Sequence, residues 1–103
     1  MKLFVSYTMR DGQVTPSVLR VVEQILKKEG HTVFIDYLNN DSEKKQERVI
    51  CELETSDRVI LLITPLVRQS QWVVMELECA RKNNIRVVPC ILINNNLIEQ
   101  EYA

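Results

Sequence analysis

The longest uninterrupted apolar run in the chain is Val59 to Ile63, within the segment Arg58 to Ile63 that Thr64 and Pro65 close. A short continuous run bounded by turn residues is the mark of a strand covered on both faces, as the strands of parallel sheets are. The surrounding sequence supplies the helices such a sheet needs. Lys2 to Ser6 reads as a short apolar strand, followed by the polar turn Thr8 to Gln13. Thr15-Pro16 is an N-cap with proline at the first helical position, and Val18, Val22, Ile25 and Leu26 then recur at helical spacing up to a stop at Gly30. His31 to Ile35 is a second strand, and Asn39 to Ser42 a loop and cap. Glu43 to about Glu54 is a helix with Val49, Ile50 and Leu53 on its inner face. Ser70 caps a third helix, Gln71 to about Asn83, and Ile85 to Ile93 forms a fourth strand.

The order βαβαβαβ implies an α/β fold with right-handed crossovers and helices on both faces of the sheet. The expected architecture is a three-layer, flavodoxin-like parallel sheet of four strands in the order 2-1-3-4. Pro89 cannot donate to a ladder, so the fourth strand is placed at an edge or a bulge. Its 103 residues suffice for one domain, residues 1–93, followed by a tail, 94–103, expected to be a short helix or disordered.

Composition removes several function classes. Thirteen Lys+Arg against fourteen Asp+Glu leave a formal charge of -1, which gives no electrostatic case for nucleic acid or an anionic membrane. The apolar run is far short of a membrane span, and no secretory signal pattern opens the chain. Two glycines, Gly12 and Gly30, cannot build a phosphate-cradling GxGxxG or Walker loop. Cys51, Cys79 and Cys90 are odd in number and lie in apolar segments, a pattern of buried, reduced thiols in a cytoplasmic protein. With one histidine and no close cysteine pair, no metal site is expected.

Ligands of such sheets bind outside the carboxyl ends of the strands. That end receives Ser6, Tyr7 and the Thr8 to Gln13 turn, along with Asp36, Thr64, Ser70 and Asn94 to Asn96. His31 and Asp57 fall at the opposite end, which disfavours a Ser-His-Asp triad built on the only histidine. A receiver domain is excluded because the third strand ends in Thr64-Pro65 instead of a phosphorylatable aspartate. The run Asp41 to Arg48 alternates in sign and reads as a solvated helix face. On the third helix, Trp72, Glu76 and Ala80 are spaced by four and share a face, whereas Glu78 lies on another face with Lys82. Spacing alone leaves Glu76 readable as an ordinary glutamate of an amphipathic helix. Its place near the helix N-terminus also suits a carboxylate that receives ribose hydroxyls or stabilises a developing cation.

Phe4-Val5-Ser6-Tyr7 with Asp11, Val33-Phe34-Ile35-Asp36, and Ser56-Asp57 before Val59-Ile60-Leu61-Leu62 together resemble a Toll/interleukin-1 receptor (TIR) domain. Ser70-Gln71-Trp72 with Glu76-Leu77, then Val87-Val88-Pro89, continue the resemblance from about Lys2 to Ile93. The resemblance implies either a homotypic interaction module or an enzyme that cleaves NAD+ at the nicotinamide-ribose bond, as in bacterial immune signalling. It makes Glu76 the catalytic residue. Ser6, Tyr7, Arg10, Asp36, Ser70 and Trp72 are then the substrate-binding set, NAD+ is the substrate, and no cofactor is required. Two departures stand out: the loop Tyr37 to about Ser42 is short and lacks Gly and Pro, and ten residues after Ile93 are too few for the family's usual last helix and fifth strand. An uncovered fourth-strand edge would favour self-association or pairing with another TIR-type chain. A nucleoside deoxyribosyltransferase-like enzyme, with a related sheet and a glutamate acting on N-glycosidic bonds, is a further alternative.

Overall fold

Four parallel strands form the centre of the molecule: β1 (Lys2–Ser6), β2 (Thr32–Phe34), β3 (Arg58–Leu62) and β4 (Arg86–Ile93). A fifth strand, β5 (Asn96–Glu99), runs antiparallel to β4, so the sheet order is β2-β1-β3-β4-β5. The helices are α1 (Pro16–Lys28), α2 (Asp36–Asn39), α3 (Lys45–Glu54) and α4 (Gln71–Lys82), with a single 3-10 turn at Val67–Gln69. The structure, a computed structural model, describes residues 1–101.

Alternation along the strands sorts the core into two layers. Leu3, Val5, Ile60 and Leu62 pack with Leu19, Val22 and Leu26 of α1. On the other face Phe4, Phe34 and Val59 pack with Val49 and Leu53 of α3 and Ala80 of α4. Phe4 and Phe34, partners in the β1–β2 register, stack at 5.7 Å between ring centroids. The helix signals act as read. Thr15 Oγ1 accepts from the Val18 N–H at 3.2 Å, and Gly30 takes φ +91° beyond the last turn, where few other residues are at ease. Helix α1 buries Leu19, Val22 and Leu26, with Val18 and Ile25 only partly covered.

The parallel order 2-1-3-4 is present, but β4 is not an edge. The tail expected to be a short helix or disordered instead turns back at Asn94-Asn95 and supplies β5. Both asparagines have positive φ (50° and 61°), the conformation a two-residue hairpin loop requires and asparagine tolerates. Pro89 fits because its carbonyl, which accepts from the Gln100 N–H at 2.8 Å, points toward the β5 side. Its missing donor lies on that same side, so the β3–β4 ladder loses nothing. The β5 ladder ends where Pro89 cannot return the bond.

Two further expectations change. Helix α3 begins at Lys45, not Glu43. The Ser42 N–H donates to Asn40 Oδ1 (3.2 Å) and the Lys44 N–H to Ser42 Oγ (3.1 Å), local bonds that delay the helix. Of the three thiols expected to be buried, only Cys90 is; Cys79 is half-buried and Cys51 exposed on the outer side of α3. Burial pushes the Cys90 thiol up to about 11, which leaves it inert as a nucleophile near neutral pH.

Candidate functional site

The carboxyl end of β1 puts two adjacent side chains on opposite faces of the sheet. Ser6 points toward α4 and is fully buried, while Tyr7 packs on the α1 side. Helix α4 meets Ser6 with a carboxylate: Ser6 Oγ donates to Glu76 Oε1 at 2.7 Å. Glu76 is 3% exposed, although the buried face of its helix otherwise carries Val73 and Ala80. The buried stripe is therefore 73–76–80, with Trp72 on its flank and 39% exposed instead of aligned with Glu76 in the interior. Glu78, two residues on, is exposed. One helix thus holds one glutamate in water and one inside the fold.

Burial pushes the Glu76 carboxyl up to about 7, and the nearby Asp36 charge adds to the rise. The Ser6 hydroxyl and, more weakly, the Trp72 side chain oppose it. Asp36 is the first residue of α2 and is held by Asn40, whose Nδ2 donates to Asp36 Oδ1 at 2.7 Å. The Tyr7 hydroxyl accepts from the Tyr37 N–H at 3.1 Å and so ties α2 to the end of β1. Burial, helped by Asp36 and Glu76, pushes the Tyr7 phenol up to about 12, so it remains protonated and able to donate.

The structure gathers Ser6, Tyr7, Asp36, Trp72 and Glu76 around one strand end. The other two expected site residues have different surroundings. Ser70 is the N-cap of α4, its Oγ accepting from the Val73 N–H at 3.3 Å. Arg10 is exposed and reaches the Gln69 carbonyl at 3.5 Å, beside the entrance to α4. Asp11 accepts from the Leu66 N–H at 2.9 Å and so joins the first loop to the segment after β3. The Thr64 hydroxyl and the Leu66 N–H hold its carboxyl below the usual range. Tyr37 and Asn40 enter the site without any sequence signal, because a four-residue helix has no periodicity to read. Among the described residues no group of three or more His, Cys, Asp or Glu side chains is placed to hold a metal ion.

A cavity of about 300 Å³ lined by Leu3, Ile60, Val88, Cys90 and Leu97 lies elsewhere, on the α1 face of the sheet. Glu76 is on the other face, so that cavity is separate from the carboxylate.

A flavodoxin-like, mostly parallel sheet with one buried carboxylate at the carboxyl end of its strands defines the class of this protein. The TIR domain family model matches residues 3–101, and the chain belongs to that family. Among solved structures, it is similar to the TIR domain of the Toll-related receptor TRR-2 from Hydra magnipapillata. That likeness has 16% identity and a TM-score of 0.68, over 97% of this chain and 74% of the other. It is also similar to a 2-deoxyribosyltransferase from Bacillus psychrosaccharolyticus, with 19% identity and a TM-score of 0.63, over 91% of this chain and 77% of the other. At these identities both likenesses concern the fold alone. No curated protein matches the chain in sequence. No helix among the described residues is long and apolar enough to cross a membrane.

Proposed function

We propose that this TIR domain is an NAD+ nucleosidase that cleaves the nicotinamide-ribose bond and acts in signalling. The observation that carries the reading is Glu76: a carboxylate 3% exposed, at the ligand end of the sheet, bonded to a hydroxyl and in no ion pair among the described residues. An unpaired buried carboxylate is costly to a fold, and such groups concentrate where chemistry is done. The chemistry asks little more of the protein. Nicotinamide departs from a pyridinium as a neutral base, so the bonding pair leaves with it and no acid is needed. The ribose becomes oxocarbenium-like, and one carboxylate stabilises it until water adds and loses a proton. Asp36 and the protonated Tyr7 suit the ribose hydroxyls. Trp72 and Tyr37, 39% and 57% exposed, offer flat apolar surfaces for the rings.

A non-catalytic interaction module is the second reading, and one observation favours it. The sheet ends in β5, a hairpin strand with Ile98 44% exposed and Ile93 beside it 49% exposed. Incubation of the purified chain with NAD+ at high protein concentration, with nicotinamide followed by chromatography, separates the readings. The nucleosidase reading expects release by wild type and loss of it in Glu76→Gln. No release, combined with concentration-dependent light scattering, selects the module. Release of free base from a deoxynucleoside with NAD+ untouched selects a deoxyribosyltransferase-like enzyme.

A further inference from the structure

Ser6 is among the residues expected to touch substrate, yet its geometry assigns it elsewhere. It is completely buried at the end of β1, the strand that lies between β2 and β3. A serine hydroxyl has one proton to donate, and this one goes to Glu76 Oε1 at 2.7 Å. The two oxygens of Glu76 are therefore not equivalent. Among the described residues no hydrogen bond reaches Oε2. Nor, among those residues, is Oε2 one of the fully sealed side-chain oxygens that lack a partner. Oε2 is thus the oxygen that keeps a trace of solvent contact, in a residue only 3% exposed.

We propose that Ser6 is a positioning residue: its hydroxyl fixes Oε1 as an acceptor, stabilises the ionised form of Glu76 and presents Oε2 to whatever occupies the site. The role follows from direction. Tyr7 lies on the other face of the sheet, and Asp36, on α2, carries a like charge that opposes ionisation. On α4 itself, Trp72 contributes a weaker pull, and the Cys79 thiol is pushed up, mainly by burial, and stays neutral near pH 7. Of the groups that favour the charge, the Ser6 hydroxyl is the strongest. A hydrogen bond to a charged group corresponds to an upward shift of about one to two pH units when it is removed. The inference rests on the nucleosidase reading only for the identity of the occupant.

The test is a carbon-13 titration of the Glu76 side-chain carboxyl, assigned by its absence in Glu76→Gln. Ser6→Ala is expected to move the midpoint up by about one to two units. Ser6→Cys, with a weak donor of similar size, is expected to fall between it and wild type. An unmoved midpoint in folded Ser6→Ala overturns the proposal, and so does an unmoved midpoint in Ser6→Cys should the alanine variant not fold. Nicotinamide release is measured on the same samples, and its pH profile is expected to shift with the midpoint. If wild type releases none, the nucleosidase reading fails while the titration still decides the role of Ser6.

Discussion

The two ends of the sheet treat charge in opposite ways. Where β1, β3 and β4 begin, Lys2 Nζ lies 3.1 Å from Glu52, the Lys2 N–H donates to Asp57 at 2.7 Å, and Arg86 lies 3.3 Å from Glu99. The two ion pairs there, Lys2–Glu52 and Arg86–Glu99, join opposite charges and keep access to water, and Asp57 is held by a main-chain N–H. At the carboxyl end Glu76 has a hydroxyl as its partner, a like charge nearby and almost no exposure. The first arrangement serves the fold and contributes little per pair. The second works against the fold, and that contrast separates a site from a surface when both are made of the same residue types.

The largest expected effect is on activity. Glu76→Gln keeps the shape and an oxygen for the Ser6 hydroxyl but removes the charge. It is expected to lower nicotinamide release by about 10²- to 10³-fold, the range for losing one electrostatic contact to a transition state. Full activity in this variant would break the comparison at its centre.

Stability should move the other way. The Glu76 carboxyl is raised from 4.5 to about 7 in the folded state, so between those values the folded protein binds more protons than the unfolded chain. Its contribution to stability is therefore intact below about pH 4.5, falls as pH rises toward 7, and is level above that. The full loss is about 3 kcal/mol. Urea unfolding at about pH 5 and about pH 8 should show most of this loss, about 2.5 kcal/mol, in wild type relative to Glu76→Gln, with the variant the more stable at the higher pH.

Smaller effects sharpen the boundary of the site. Ser70 acts as a cap, so Ser70→Ala is expected to cost about 1 kcal/mol in thermal or urea unfolding, and Ser70→Asn, which also caps, only a few tenths. At the opposite end Glu99→Ala is expected to change stability by less than about 0.5 kcal/mol, since the Arg86–Glu99 pair is exposed on both sides.

The sequence reveals the sheet better than its edge, and the carboxylate better than its supports. Strand order and all three long helices were readable because apolar periodicity and caps such as Thr15-Pro16 and Ser70 are local signals. Asn94-Asn95 was also a local signal, for a hairpin. Its pairing with β4, however, depends on a register that puts Pro89 at the last position where its missing donor does little harm. Glu76 stood apart from Glu78 by helical phase alone, although the buried face proved to run through Val73 and not Trp72. Tyr37 and Asn40 had no signal, since their roles come from a main-chain N–H and an amide brought to Tyr7 and Asp36 by the fold.

The pH dependence of kcat/KM for nicotinamide release tests the central claim most directly. With Glu76 ionised as the working group, the rate should rise about tenfold per pH unit below a midpoint near 7 and level off above it, and the dependence should vanish with the activity in Glu76→Gln. A rate that is flat across that range, or that persists in the glutamine variant, would contradict the account.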